Sequence, residues 1–533
     1  MLTNFSSMVP QLSTTDSVKI ATAATAVLVG SAILRFVWKS RQYDHLPQPP
    51  ASSLLFGHIG DTWGKVATWN IKGDYPEPFL SWMKQYGGVV HYREFFDHVV
   101  MITDPVALQY MLVSNGVNYP RQVIARRYFG VSLARCLCII LEQDILLGDG
   151  LLSVDGKLHD AYRKIMNPLF TVSKIKAFVD IFDKQTQQYC EKVLEPACDN
   201  STPVDLSQMF TKLMLSIVGL TVLGLDFDSS PEALEAYENC MIEMSPAMLI
   251  GVFTIPGFFS FPIPSLMKRR KAQATLRKIL QDIIHQKLAA PASDNPKDLL
   301  DMILPHSTTQ EVITHTVTFI VAGHDTSSNT LGFVFGTLFD YPDAVAGIRA
   351  EYNKVISNYC SLKSWEAVSE LVYTQAVIHE ALRLNSVVIM TMLRNSQDND
   401  TIPMSDASTV FIPKGTNINL NMAAMHRNPK YWKDPDSFIP ARFIEGSTEW
   451  DADLDLRGGK PHAFYFMPFS AGSKNCIGQR FAMAELQVIV ATLVSKFDFA
   501  PSANMDMSHE YGGITVRPVK VEMTVRRAKA PSA

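Results

Sequence analysis

The sequence predicts a mainly α-helical domain with a minor β-sheet region, preceded by a transmembrane helix at the N-terminus. Helical apolar spacing dominates from about Asp155 to Cys360, and that sets the class. Two stretches, "GGVVHYREFFDHVVMITD" near the start and "FIPKGTNINLNM" later, read as short strands and supply the sheet. An uncharged run from Ile20 to Leu34, "IATAATAVLVGSAIL", stands apart from both.

In chain order the apolar run comes first. Extended past Arg35 by Phe36, Val37 and Trp38, it nears the roughly 20 residues that cross a bilayer. A cleaved signal peptide is the alternative. Against it, the run starts late, carries no small-residue cleavage site before its basic flank and ends at Trp38, a side chain suited to an interface. Arg35, Lys39 and Arg41 outweigh Lys19, so the positive-inside tendency leaves the chain after residue 41 in the cytosol. Residues 1–41 therefore read as an anchor and 42–52 as a stiff spacer, where "LPQPPASS" supplies Pro47, Pro49 and Pro50. Residues 53–533 read as one domain, without a repeat or internal linker. Within it, "VFTIPGFFSFPIPSLMKRRK" sets Phe253, Phe258, Phe259 and Phe261 before a basic cluster, which suits either a membrane interface or a packed loop ahead of a solvated helix start.

Composition limits what any motif can mean. Across 533 residues, 47% apolar and 19% charged is ordinary for a globular enzyme, and a formal net charge of -4 gives no global field for nucleic acid. The seven cysteines are odd in number and lack C-x-x-C pairs, so neither a disulfide framework nor a structural zinc site is expected. No phosphate loop or nucleophile elbow occurs, "HEALR" lacks the second histidine of a zinc protease helix, and "GDGLLS" fails the dinucleotide pattern at its third glycine.

The chemistry centres on "FSAGSKNCIGQRFAMAEL". Phe469, Gly472, Cys476 and Gly478 satisfy F-x-x-G-x-x-x-C-x-G, and an apolar helix follows. A cysteine at a helix N-terminus has its thiolate favoured by the dipole and by free backbone N–H groups, as a soft metal ligand requires. The glycines allow a tight turn around the sulfur and close approach of a flat ligand. Taken alone, such a cysteine is more often packing.

With that spacing, the chain resembles the haem-thiolate monooxygenases, the cytochrome P-450 family, along nearly its whole length. The resemblance makes Cys476 the axial ligand of iron in haem b, and residues 53–533 the haem-thiolate catalytic domain. Lys474 stands where the family has arginine or histidine, and would meet a haem propionate as a point charge rather than a fork. "VAGHDTSS" resembles the family's oxygen-activating groove, with Thr326 hydrogen-bonding the oxygen ligand and Asp325 relaying protons; a solvated polar stripe is the plainer reading. "HEALR" and "FIPARF" supply Glu380, Arg383 and Arg442, which would form a buried ion network beneath the haem, although an E-x-x-R pair is ordinarily a weak surface bridge. "GKLHDAYRKIMNPLF" resembles the helix that faces the propionates, with His159 in the tryptophan position and Arg163 one turn on. His159 is a propionate donor or a solvent-facing ring, and Arg394 a further propionate partner or an exposed charge.

The resemblance also implies a location and partners: a single-pass protein of the endoplasmic reticulum membrane facing the cytosol, with membrane lipid, O2, NADPH-cytochrome P-450 reductase and a lipophilic substrate, and no nucleic acid. The pocket would draw on "NSVVIMTM", the helix near Ala322, the region from Arg121 to Ile145, and "GGITV" near Ile514. A haem-thiolate isomerase or dehydratase acting on peroxides, and a non-catalytic haem-binding protein, remain as alternatives.

Overall fold

The computed structural model describes residues 14–62, 75–121, 150–240, 258–289, 298–391, 393–511 and 515–529. Helix α1, Thr14–Arg41, holds a 20-residue window, Thr22–Arg41, of mean hydropathy 1.3 with none of it buried. That window is long and apolar enough to cross a membrane. A second window, Leu206–Leu223, passes the same length test but is 72% buried. It begins with α3, Leu206–Val218, which packs along the central helix as core.

The helical zone opens at Asp155, which caps α2, Gly156–Met166, and closes at Tyr359, after which Cys360 turns left-handed at φ 64°. Inside it lie α3, then α4, Pro231–Cys240, and the 30-residue central helix α5, Thr309–Leu338. The apolar run predicts helix from Val317, and the structure begins it two turns earlier. The reason is a capping box: Glu311 N–H donates to Thr308 Oγ1 (3.3 Å) and Thr308 N–H to Glu311 Oε2 (2.8 Å), with Val312 and Ile313 buried just inside. Helices α6, Val372–Leu384, and α7, Gln479–Lys496, pack against α5 and each other. Gly323 sits where α3 crosses α5, and a Cβ there would stand 3.1 Å from Val218 Cγ2.

The main sheet runs β1 (Val89–Glu94), β2 (Asp97–Ile102), β4 (Asn417–Leu420), β3 (Arg394–Asn395). β1 and β2 form an antiparallel hairpin from Val89↔Ile102 to Glu94↔Asp97, turning through Phe95 and Phe96. β4 pairs parallel with β2 and antiparallel with β3, and all four of its residues are buried. Three smaller sheets pair Val204–Asp205 and Phe497–Pro501 with Glu522–Arg527, Asp506–Tyr511 with Val516–Lys520, and Asp400–Pro403 with Thr409–Ile412.

The chain after α1 docks on this sheet. Tyr43 and Leu46 are buried in its apolar cluster, Tyr43 shares a hydrogen bond with Thr416 (2.8 Å), and His91 N–H donates to Pro47 O (2.9 Å). Within the basic run after Phe261, Arg269 is buried on helix Pro264–Ala289 and donates to Cys240 O (3.2 Å), while residues 241–257 lie outside the described residues.

Candidate active site

The Cys476 loop is held from three directions. Its own backbone closes it, with Cys476 N–H donating to Phe469 O at 2.8 Å. The segment from Leu112 packs so closely on it that a Cβ at Gly472 (φ +75°) would fall 2.1 Å from Leu112 O, so only glycine fits. From α2, Arg163 sets its fork on the residue before the cysteine, Nη1 to Asn475 O (3.0 Å) and Nη2 to Asn475 Oδ1 (2.6 Å). Gly478 then caps α7. Burial pushes the Cys476 thiol up, while the Gly478 N–H, the Arg163 guanidinium and the Gln479 N–H pull it back. Three groups thus already favour the thiolate, and a bound cation would complete the ionisation. The Cys476 side chain keeps accessible surface.

Helix α5 opens in the same way at its middle. Val312 to Ile320 and Ser327 to Gly336 are buried, whereas Ala322 is exposed and Asp325 and Thr326 are half-buried. Thr326 Oγ1 donates to Ala322 O (2.9 Å). Asp325 is oriented by two donors, Thr515 Oγ1 to Oδ2 (2.6 Å) and Asn329 Nδ2 to Oδ1 (3.3 Å). The next residue ties α5 to α7: Ser327 Oγ donates to Glu485 Oε1 (2.5 Å), and burial pushes the Glu485 carboxyl up to about 8. Tyr237 on α4 shares a 2.9 Å hydrogen bond with His324 Nδ1.

Beside the loop lies a buried cationic corner. Lys474 Nζ pairs with Asp155 Oδ1 at 2.7 Å, and Asp155 also accepts from the N–H groups of Arg121 (2.8 Å) and Gly156 (2.8 Å). Burial raises the Asp155 carboxyl, but Lys474 and the two N–H groups outweigh it and hold it at about 2. Arg394 on β3 bridges the backbone of Arg121, and both side chains lie close enough to Lys474 to depress its ammonium pKa further. Arg394 is buried, its Nη1 reaches Tyr119 O (3.4 Å), its Nε has no hydrogen-bond partner among the described residues, and burial lowers its pKa to about 10. His159 is buried on α2 with Nδ1 3.3 Å from Asp160 Oδ1, and burial depresses its pKa despite Asp160. Among the described residues, Lys474, Arg394 and Arg121 thus gather near Asp155 in a buried corner. A flat apolar ligand carrying two acids fits these residues, since its acids would meet Lys474 and Arg394.

Behind the loop, Glu380, Arg383 and Arg442 meet with each side chain at most 1% exposed. Arg383 grips Glu380 by a fork (Nε to Oε2 2.7 Å, Nη2 to Oε1 2.8 Å) and spends its remaining donors on the carbonyls of His426, Pro435 and Ser437. Arg442 Nε reaches Glu380 Oε1 (3.1 Å) and Nη1 reaches Asp453 Oδ2 (2.6 Å). The Trp432 ring stacks under both guanidiniums, at 5.3 and 5.8 Å. This binds α6 to the segment leading to the cysteine.

Sequence reasoning missed Asp155, Asn475, Asp453 and Glu485 as parts of the site, and placed Arg121 and Thr515 only in pocket-lining segments, without their roles beside Asp155 and Asp325. Glu485 left a trace, a lone carboxylate inside the apolar run of α7; Asp155 and Asn475 flank helices and meet partners far along the chain, and Asp453 is a helix residue with nothing in its own turn to mark it. Of the pocket segments expected from sequence, residues 122–149, 392 and 512–514 lie outside the described residues, while Val387 and Ile389 are buried in the main core.

A cysteine in a glycine-shaped loop at a helix N-terminus, an opened helix face bearing a hydroxyl and an oriented carboxylate, and a cation corner that fits a diacid are together what a haem-thiolate protein requires. The family model for cytochrome P-450 matches residues 74–525, and the chain belongs to that family. It is an oxidoreductase of the monooxygenase kind. Its relatives span kingdoms. It is 27% identical over 527 residues to cytochrome P-450 monooxygenase 128 of Postia placenta, with 90% of each chain covered. It is 26% identical over 495 residues to leukotriene-B4 omega-hydroxylase 3 of Mus musculus, with 86% of each covered. To the chloroplastic protein LUTEIN DEFICIENT 5 of Arabidopsis thaliana it is 25% identical over 447 residues, covering 80% of this chain and 70% of that one.

Proposed function

We propose that the protein is a membrane-anchored monooxygenase that inserts one oxygen atom from O2 into a lipophilic substrate, with electrons from a separate NADPH-dependent reductase. The observation that carries the reading is the opened middle of α5, where Thr326 stands beside an Asp325 held by Thr515 and Asn329. Rearranging a peroxide needs no such proton path, so the pairing favours oxygen reduction over the isomerase alternative. The mouse relative, named for hydroxylating a lipid mediator, supports the substrate class.

Haem b, held by Cys476 and by Arg394, Lys474 and His159 at its propionates, would supply oxygen activation, which a thiolate donor steers towards O–O cleavage. The chain's own residues do the rest. Phe469, Gly472 and Gly478 shape the loop, and Arg163 fixes Asn475 and so the position of the sulfur. Asp325 would pass a proton through water towards Thr326, whose Oγ1 would give its own proton to the reacting oxygen as the relayed one replaces it. Glu380, Arg383 and Arg442 hold the floor of the site rigid. With α1 crossing the endoplasmic reticulum membrane, the domain faces the cytosol and draws apolar substrate from the lipid.

Two measurements test this. Cys476→Ser should lose the long-wavelength band of the reduced carbon monoxide complex, because an alcohol ligand does not produce it. The wild type should form product from lipophilic compounds only when reductase and NADPH are present. Retention of the band in the variant, or turnover of a fatty hydroperoxide with no reductase-dependent activity, would replace the proposal.

A further inference from the structure

His426 ends the short helix Met422–His426 and is wholly buried. Its carbonyl accepts from Arg383 Nη1 (2.9 Å), which ties it to the ion network behind the cysteine loop. Its ring makes two further bonds. Met467 N–H donates to Nε2 (2.9 Å), and Nδ1 stands 2.8 Å from Ser386 Oγ.

These contacts fix where the imidazole proton sits. Nε2 faces a backbone N–H, so it keeps its lone pair. Ser386 Oγ already donates to Leu382 O (3.1 Å), so it meets Nδ1 as an acceptor and the proton lies on Nδ1. Burial, with Arg383 alongside, keeps the ring neutral by lowering its pKa to about 3. One line of hydrogen bonds thus runs from Met467 through the imidazole and Ser386 to Leu382 on α6, and the Phe466 ring packs against the imidazole at 5.2 Å.

The Met467 end of that line opens the cysteine loop. Met467 O accepts from Ser470 N–H (3.0 Å), Ser470 takes a left-handed φ of 60°, and Phe469 O receives the N–H of Cys476 (2.8 Å). Arg163 therefore pins the loop beside the cysteine, through Asn475, and His426 pins it at its start. At the other end of the His426 helix, Met422 N–H and Ala423 N–H both donate to Ile389 O (3.0 Å each), in the segment that follows Ser386. The helix that carries the ring is itself held at both ends.

We infer that His426 is a positioning residue for the Cys476 sulfur, whose Nδ1–H tautomer holds Met467, and with it the start of the cysteine loop, against the Glu380–Arg383–Arg442 network. The inference rests on the reading of Cys476 as the thiolate ligand. It gives the ring a use beyond filling space, because an apolar side chain of the same size would leave Met467 N–H without its acceptor.

The test uses the full-length, haem-loaded protein and follows how long its reduced carbon monoxide complex keeps the long-wavelength band. His426→Gln carries a carbonyl oxygen to about the reach of Nε2, where it can accept from Met467, whereas His426→Asn reaches only as far as Nδ1 and strands that N–H. The Asn variant should lose the band several-fold faster than the wild type, and the Gln variant should restore a rate close to wild type. A ring that only fills space would be missed equally in both variants. Equal rates in Asn and Gln, or a wild-type rate in Asn, therefore overturn the inference. Should the Asn variant yield no haem-loaded protein, Ser386→Ala decides, since it removes the acceptor that keeps the proton on Nδ1: a rate above wild type supports the inference and a wild-type rate overturns it. A wild type that never shows the band removes the thiolate reading, and the inference with it, before any variant is compared.

Discussion

Thr326 carries its hydroxyl on the one turn of α5 that opens, and there it donates to a carbonyl of its own helix, Ala322 O, at 2.9 Å. Giving up such a bond for a reacting oxygen costs about 0.5–1.5 kcal/mol, so the hydroxyl is available to chemistry at small expense. Thr326→Ala should therefore leave haem binding and the reduced carbon monoxide spectrum unchanged while product per electron falls. The expected loss is about 10²-fold where proton delivery limits the reaction, with hydrogen peroxide rising to match electron-donor consumption. Full coupling in the variant would mean that another group, such as water held by Asp325, delivers the proton. Thr326, Asp325 and Cys476 could be picked from sequence because polar residues inside an apolar helix, or a cysteine in a glycine turn, stand out locally. Their supports did not stand out. Nothing near Asp325 in the sequence announces Thr515, and nothing near Cys476 announces the fork of Arg163 on Asn475.

Between elements, the Lys474–Asp155 bridge is the joint that fastens the cysteine loop to the cap of α2. Removing one partner strands the other charge in a buried corner, which typically costs 3–5 kcal/mol. Lys474→Ala and Asp155→Asn should each lower stability and haem retention by a similar amount, and the double variant should lose much less than the sum, as read by denaturant unfolding in a double-mutant cycle. Additive losses would mean that the two side chains act independently and that the bridge fastens nothing. The sequence shows elements where pattern is local: the helical zone read from Asp155 to Cys360 opens at the cap of α2 and holds a helix ending at Tyr359, although helix Trp365–Ser369 and α6 follow beyond it, and the two β-like stretches hold β1, β2 and β4. It shows less where tertiary packing decides. The first turns of α5 are too polar for an apolar-run criterion, although the T-x-x-E cap was there to be read. The segment after α1 has a spacer's composition, and its docking depends on the stacking of Tyr43 with two distant histidines.

At the scale of the whole molecule, one carboxyl ties global stability to pH on the alkaline side. Glu485 has a folded pKa of about 8 against an ordinary 4.5, so the folded state holds a proton that the unfolded chain has released. Its contribution is complete below about 4.5 and is lost as pH rises through about 8. Buried histidines act in the opposite window. Burial lowers His379 to about 4 and His426 to about 3, so their contribution is present above 6.5 and disappears on acidification. A stability maximum near neutrality follows, with a fall of about 1 kcal/mol between pH 7 and 8. Glu485→Gln should flatten that alkaline limb while leaving the acid limb in place, as followed by urea unfolding across pH. An equally steep limb in the variant would assign the loss to another group.

The clamp of Arg163 on Asn475 joins residues 312 positions apart, and this has a consequence in time. At about 5–20 residues per second on a ribosome, Asn475 is made roughly 15–60 seconds after Arg163. Throughout that interval the loop that Arg163 will hold has not yet been made. The cysteine itself arrives when all but the last tenth of the chain has been made, so the site closes as almost the final act of synthesis. A newly made chain thus meets the cofactor only after nearly every other contact in the domain has had its chance to form.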